Sequence, residues 1–254
     1  MTKNNNFIRK LGAGLMASLC AVSMLATPMT GMLSASAAST ATENDAFPSA
    51  DEVIAQAATL LGSPYGWGFK GYTGVYYQGR YSPLSLDYVR QQGVDCSGLI
   101  YYTLAHLGYS TSGFSWNNPV PVDTPHWLSV NDNCTITYNG VTSKIDVEKE
   151  NIPYKERPYW ECADGSTITP GSVVIADNLN GEDHSWIYIG EFNNRDEVIA
   201  YLKKIGVNES YINSNTVGDG SGDGGTHWRI ESNGSQGCVI NNKTDGKQAT
   251  VLNM

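Results

Sequence analysis

Apolar residues at helical spacing fill the early part of this chain, and short strand-length apolar runs fill the later part. That order restricts the fold to the α+β class. Ser49 and Glu52 form a capping box at a helix start, each side chain able to satisfy a backbone N–H of the other. Val53, Ile54, Ala57, Leu60 and Leu61 then share one helical face, and Gly62 stops the helix. A second helix is expected from Cys96, where Leu99, Ile100, Leu104 and Leu107 make one stripe and Gly108 ends it. Residues 109–169 read as an insertion whose regular structure is a small hairpin, 135–138 and 141–145 around Asn139-Gly140. The main sheet is therefore placed after the turn Pro170-Gly171. Its mostly antiparallel strands are expected at 172–176, 184–189, 227–231, 238–241 and 248–252, with one further helix at 195–205. A second insertion covers 191–226. Its Gly/Asp/Ser-rich tract 218–225 reads as a flexible loop, and its aspartates match no calcium-loop spacing.

The start of the chain reads as an export signal. Lys3, Arg9 and Lys10 precede an apolar run over 11–26, and Ala35-Ser36-Ala37 fits the small-residue cleavage rule, so processing is expected after Ala37 or Ala38. Ser18, Ser23 and Pro28 break the run, which is short for a membrane span. A secreted or wall-associated protein without a membrane anchor follows: signal 1–38, disordered lead-in 39–48, and a single monomeric domain over 49–254. Apolar residues make up 41% of the sequence, enough for a proper core. The formal charge is −9, and the signal holds three basic residues and no acid, so the remainder stands at about −12. Such a protein is repelled by phosphate polymers, which argues against nucleic acid as a partner.

Cys96, Cys134, Cys162 and Cys238 remain after processing. No C-x-x-C pair occurs among them, which argues against a zinc or redox site; no metal and no cofactor are expected. Export permits disulfides, and Cys134 and Cys162, flanking one middle segment, could pair. Cys238, in the apolar run CVI, reads as a small core residue.

Cys96 is different, because it stands at a helix start. Unpaired N–H groups and the helix dipole there favour a thiolate, and the same N–H groups can receive an oxyanion. Asp95 is placed to cap that helix. A thiol needs a base, and His184, at the start of the strand His-Ser-Trp-Ile-Tyr-Ile-Gly, is the best placed of the four histidines. His106 lies roughly three turns along the Cys96 helix. His126 lies beside Trp127 in the insertion. A third group should orient the imidazole. Glu231 and His227, four apart in one strand and so on one face, are the candidates, and Asn233 shares that face if the strand continues.

Four blocks, Pro64-Tyr65-Gly66-Trp67-Gly68, Asp95-Cys96-Ser97-Gly98-Leu99, Pro170-Gly171-Ser172-Val173-Val174 and His184-Ser185-Trp186-Ile187-Tyr188-Ile189-Gly190, together resemble the NlpC-type cell-wall peptidases of the papain-like clan, in the family's order. The resemblance implies a nucleophile helix packed on a five- or six-stranded antiparallel sheet that carries the histidine. It implies cleavage of amide bonds in peptidoglycan stem peptides, often next to D-glutamate, without a metal. Tyr65 then matches a tyrosine near the nucleophile, and Asp95 a position that often meets the substrate's amino end; Ser97 and Trp67 fall in the same binding or oxyanion region. The family's third residue usually follows the histidine by about a dozen positions. Here the matching strand, Trp228-Arg229-Ile230-Glu231-Ser232, comes after the second insertion and puts Glu231 where the family more often has histidine. The same residues would serve an N-acetylmuramoyl-L-alanine amidase or an acyltransferase of the clan. Exposed aromatics on a silent scaffold would instead make a wall-binding protein.

Overall fold

The computed structural model describes residues 47–77, 79–153, 157–177, 183–244 and 248–253. The expected signal and nearly all of the lead-in lie outside the described residues, as does most of the turn before His184. In chain order the first half holds α1 (Ala50–Ala58), β1 (Tyr72–Thr73), β2 (Ser82–Pro83), α2 (Leu86–Gln92), α3 (Cys96–Leu107), β3 (Ser110–Ser112), α4 (Thr124–Trp127), β4 (Thr135–Tyr138), β5 (Val141–Lys144) and β6 (Asp146–Pro153). The second half holds β7 (Val173–Asp177), β8 (His184–Glu191), α5 (Arg195–Lys204), β9 (His227–Asn233), β10 (Gly237–Asn241) and β11 (Gln248–Asn253).

The fold is α+β. Six antiparallel strands form the main sheet in the order β10-β9-β8-β7-β11-β6. Alternation along the strands separates two apolar layers. Val173, Ile175, Ile187, Ile189 and Ile230 join the core with the residues of α1 and α3, whereas Val174, Ala176, Trp186, Tyr188 and Val251 pack with Tyr159, Cys162 and Ile168 in a second cluster. α1 starts at the expected box, with the Glu52 carboxylate accepting from the Ser49 N–H at 2.8 Å and the Ser49 hydroxyl accepting from the Glu52 N–H at 3.3 Å. It ends at Ala58, so Leu60 and Leu61 are buried in the turn that follows rather than on the helix. α3 is buried on all sides through Leu104, including Tyr101, Tyr102 and Thr103, and is a central helix rather than one with a single buried stripe.

The structure corrects three expectations. The main sheet begins inside the segment read as an insertion, because β6 pairs with β11. Its sequence, Asp-Val-Glu-Lys-Glu-Asn-Ile-Pro, lacks apolar alternation, as suits a charged edge strand. Cys134 and Cys162 do not pair: Cys134 carries a free thiol in the helix-side core, and Cys162 belongs to the other cluster. The 218–225 tract is tied down by Asn242, whose amide donates to the carbonyls of Gly220 (2.9 Å) and Gly225 (2.7 Å) and accepts from the Gly222 N–H (2.9 Å). The β4–β5 hairpin forms as expected, with Asn139 at φ 47 and Gly140 at φ 80.

Candidate active site

Cys96 is the first residue of α3, and its placement begins with the loop before it. Asp95 caps the helix by accepting from the Gly98 N–H at 2.6 Å, and its other oxygen accepts from the Gly68 N–H at 2.9 Å. The Gly66 N–H donates to the Val94 carbonyl at 3.1 Å, and the Asp95 N–H to the Phe69 carbonyl at 3.3 Å. Two of the sequence blocks are thus one structure, residues 64–70 wrapping the start of α3. Gly98 makes the wrap possible, since a Cβ there would lie 2.3 Å from the Phe69 carbonyl oxygen. On the other side the Ser232 hydroxyl, from β9, donates to the same Val94 carbonyl at 2.6 Å and ties the helix start to the sheet. With the Asp95 and Gly98 N–H groups engaged, those of Cys96 and Ser97 are left without an intrahelical partner.

His184 opens β8. Trp186 lies opposite Glu231 across the β8–β9 ladder, so His184, two residues earlier, shares a face with that glutamate and sits diagonally from it. The imidazole Nε2 and Glu231 Oε2 are 2.6 Å apart. Nδ1 is therefore the ring nitrogen free to serve the Cys96 thiol, with which the ring interacts at the end of the strand. Glu231 is held from three more sides: Arg229 Nη2 donates to it at 2.8 Å, Asn233 Nδ2 at 2.9 Å and Asn241 Nδ2 at 2.5 Å. The Arg229 guanidinium is buried and stacks over Trp186, 4.3 Å from the ring centroid.

His227 does not join this group. It lies four residues from Glu231, about 13 Å along an extended strand. Its Nδ1 meets the Tyr188 hydroxyl at 3.0 Å, its Nε2 lies 3.2 Å from Glu191, and its ring stacks on Trp160 at 4.4 Å. Between the two candidates for the orienting residue, Glu231 is the one beside His184. His106 stacks on Tyr102, and His126 pairs with Asp123.

The charges follow from these contacts. Burial alone would raise the Cys96 thiol, but the hydrogen bond and charge of His184 outweigh it and hold the thiol below its ordinary value; Ser185 adds to this and Asp95 opposes it. The Ser185 hydroxyl is buried near the sulfur and has no partner that meets full hydrogen-bond geometry. Burial would lower His184, but its bonds to Cys96 and Glu231 raise it to about 9. Burial would raise Glu231, yet the bond from His184 and the Arg229 charge bring it down to about 2. The site is built for a thiolate–imidazolium pair backed by a carboxylate.

Cys96 and His184 open into a cleft of about 710 Å³ walled by Tyr65, Trp67, Tyr76, Asp123 and Asn233. Tyr65 bridges to Val94, and its ring lies 6.3 Å from that of Trp67, which is 76% exposed at the rim. Asp95 and Ser97 also reach the cleft, but both are engaged by Lys70, which the sequence did not single out. Arg229 and Asn241 were missed as well. Arg229 was accessible in principle, since it stands two residues before Glu231 and shares its face. Among the described residues no group of three or more His, Cys, Asp or Glu is placed to hold a metal ion. No described helix is long and apolar enough to cross a membrane. Comparison of the chain with protein-family models, with curated proteins and with solved structures gives no significant match.

Proposed function

We propose that the protein is a secreted cysteine hydrolase of papain-like, NlpC-type architecture that cleaves amide bonds in peptidoglycan stem peptides. The observation that carries this is the line Cys96–His184–Glu231 opening into a cleft, with the glutamate 2.6 Å behind the imidazole. Reaction type follows from that line, and substrate class from the four sequence blocks. The Cys96 sulfur attacks the scissile carbonyl carbon and forms a C–S bond, while the N–H groups of Cys96 and Ser97 take the charge developing on oxygen. His184 gives its proton to the departing amine as the C–N bond breaks, leaving a thioester. It then takes a proton from water, whose oxygen attacks the thioester and releases the acid. Glu231 keeps the ring oriented throughout and stabilises the imidazolium that stands before acyl transfer and re-forms during hydrolysis.

Incubation with purified peptidoglycan and mass analysis of the fragments tests the proposal. Cuts within the stem peptide are expected from the unaltered protein and none from Cys96→Ala. A cut between muramic acid and L-alanine would reassign the reaction to an amidase of the clan. Full activity in folded Cys96→Ala would defeat the proposal outright.

A further inference from the structure

Asp95 sets a problem that the rest of the site has to answer. Its carboxylate is needed, because it caps α3 through Gly98 and fastens the 64–70 loop through Gly68, two acceptor roles at two oxygens. It is also the residue next to the one that has to become an anion. A like charge at that range disfavours a thiolate, and Asp95 does oppose the ionisation of Cys96.

Lys70 lies against this carboxylate. The side chain is 2% exposed, and its ammonium donates to Asp95 Oδ1 at 2.7 Å, to Oδ2 at 2.8 Å and to the Ser97 hydroxyl at 2.7 Å. All three ammonium protons are spent on the N-cap and the second residue of the helix, the two neighbours of Cys96. A buried lysine is rare and costly unless paired. This one is paired with a carboxylate whose charge works against the nucleophile. We propose that Lys70 is a positioning residue of the nucleophile: its buried ammonium neutralises Asp95, so that the cap required to build the helix start does not repel the charged sulfur. The inference rests on the thiol-hydrolase proposal and names a residue outside the Cys96–His184–Glu231 line. The other charged groups around the sulfur are His184 and Asp183 at the start of β8, Glu231 behind the imidazole, and Asp123 across the cleft. The cation bonded to both Asp95 oxygens is Lys70.

The test is the pH dependence of Cys96 alkylation by iodoacetamide in the full chain, read at the Cys96 peptide by mass spectrometry. It needs no substrate. Lys70→Met is expected to move the midpoint up by about one pH unit or more. Lys70→Arg, which keeps the charge, should hold the unaltered midpoint. Lys70→Met combined with Asp95→Asn removes both charges and should cancel the rise. Asp95→Asn alone, isosteric and able to keep the Gly98 cap through its amide oxygen while giving up the Gly68 bond, should move the midpoint down; it decides the matter if Lys70→Met does not fold. A lysine serving packing alone would not give shifts of opposite sign that cancel. No shift in either single variant, or a rise that persists in the double variant, overturns the inference while leaving the hydrolase intact. A Cys96 that titrates in the ordinary thiol range in the unaltered protein overturns both.

Discussion

His184 faces two neighbours with opposite needs. The sulfur needs a proton acceptor that stays close, and Glu231 needs a cation to justify its burial. A ring raised to about 9 serves both, because it is charged at neutral pH while the thiol beside it is held below its ordinary value. Activity should therefore rise with pH as the pair forms, hold a plateau, and fall as His184 loses its proton near pH 9, which a profile of kcat/KM would show. Stability has matching edges. The folded value of His184 lies above its ordinary 6.5, so its contribution is full below that pH and is lost as pH rises through about 9. Glu231 lies below its ordinary 4.5, so its contribution is full above that pH and is lost as pH falls towards 2. Glu231→Gln removes the charge that backs the imidazolium and leaves the Arg229 guanidinium, 2.8 Å away, without its anion. Turnover is expected to fall by about 10²–10⁴-fold, the usual worth of acid–base assistance, with the alkaline limb moved to lower pH. A variant with unchanged rate and profile would remove Glu231 from the mechanism. Alternation alone left Glu231 and His227 both open, because it puts them on one face, and it was the family resemblance that favoured Glu231 with His227 as the alternative. The register, with Trp186 opposite Glu231 and Glu191 opposite His227, tells them apart. Lys70 had no signal at all: a lone lysine in a glycine- and aromatic-rich loop reads as solvated until the loop is seen folded against the helix.

At the scale of elements, legibility followed the local code. The α1 capping box, the Asn139-Gly140 hairpin and the strands of the second half carry their instructions in adjacent residues, and they form where the sequence put them. α2 was not anticipated, because in its seven residues only Val89 is buried and there is no stripe to read. β6 was not anticipated because an edge strand with charges has no alternation. The element-level demand that bears on the site is at Gly98. Alanine normally stabilises a helix relative to glycine by roughly 0.5–1 kcal/mol. Here its Cβ would meet the Phe69 carbonyl oxygen at 2.3 Å and Asp95 Oδ1 at 2.9 Å. Gly98→Ala is expected to lower stability by about 1–3 kcal/mol, the usual cost of overpacking, and to slow Cys96 alkylation as the loop is pushed off the helix start. Denaturant unfolding measures the first effect; an increase in stability would mean that the loop yields freely and does not hold the nucleophile.

On the whole-molecule scale, the chain's last described strand lies inside the sheet. β11 sits between β7 and β6, and no local pattern announces such a long-range pairing. The same assembly decides which cysteine reacts. Cys134 and Cys238 are walled into the helix-side core, where burial raises both thiols. Cys162 is the informative comparison, because it is 7% exposed and Cys96 is 8% exposed, so access does not separate them. Their surroundings do: Cys162 packs in the cluster with Tyr159, Ile168 and Val174, while Cys96 stands at a helix start with an imidazole beside it. Brief iodoacetamide treatment of the folded protein at neutral pH should therefore label the Cys96 peptide first. Modification of the other three should appear only as denaturant exposes them. Since Cys134 does not pair with Cys162, a reductant should leave the melting temperature unchanged, a second check on the same thiols. Labelling of Cys162 at a rate equal to that of Cys96 would mean that exposure, and not the imidazole, governs reactivity, and the thiolate on which the proposed hydrolase activity depends would lose its support.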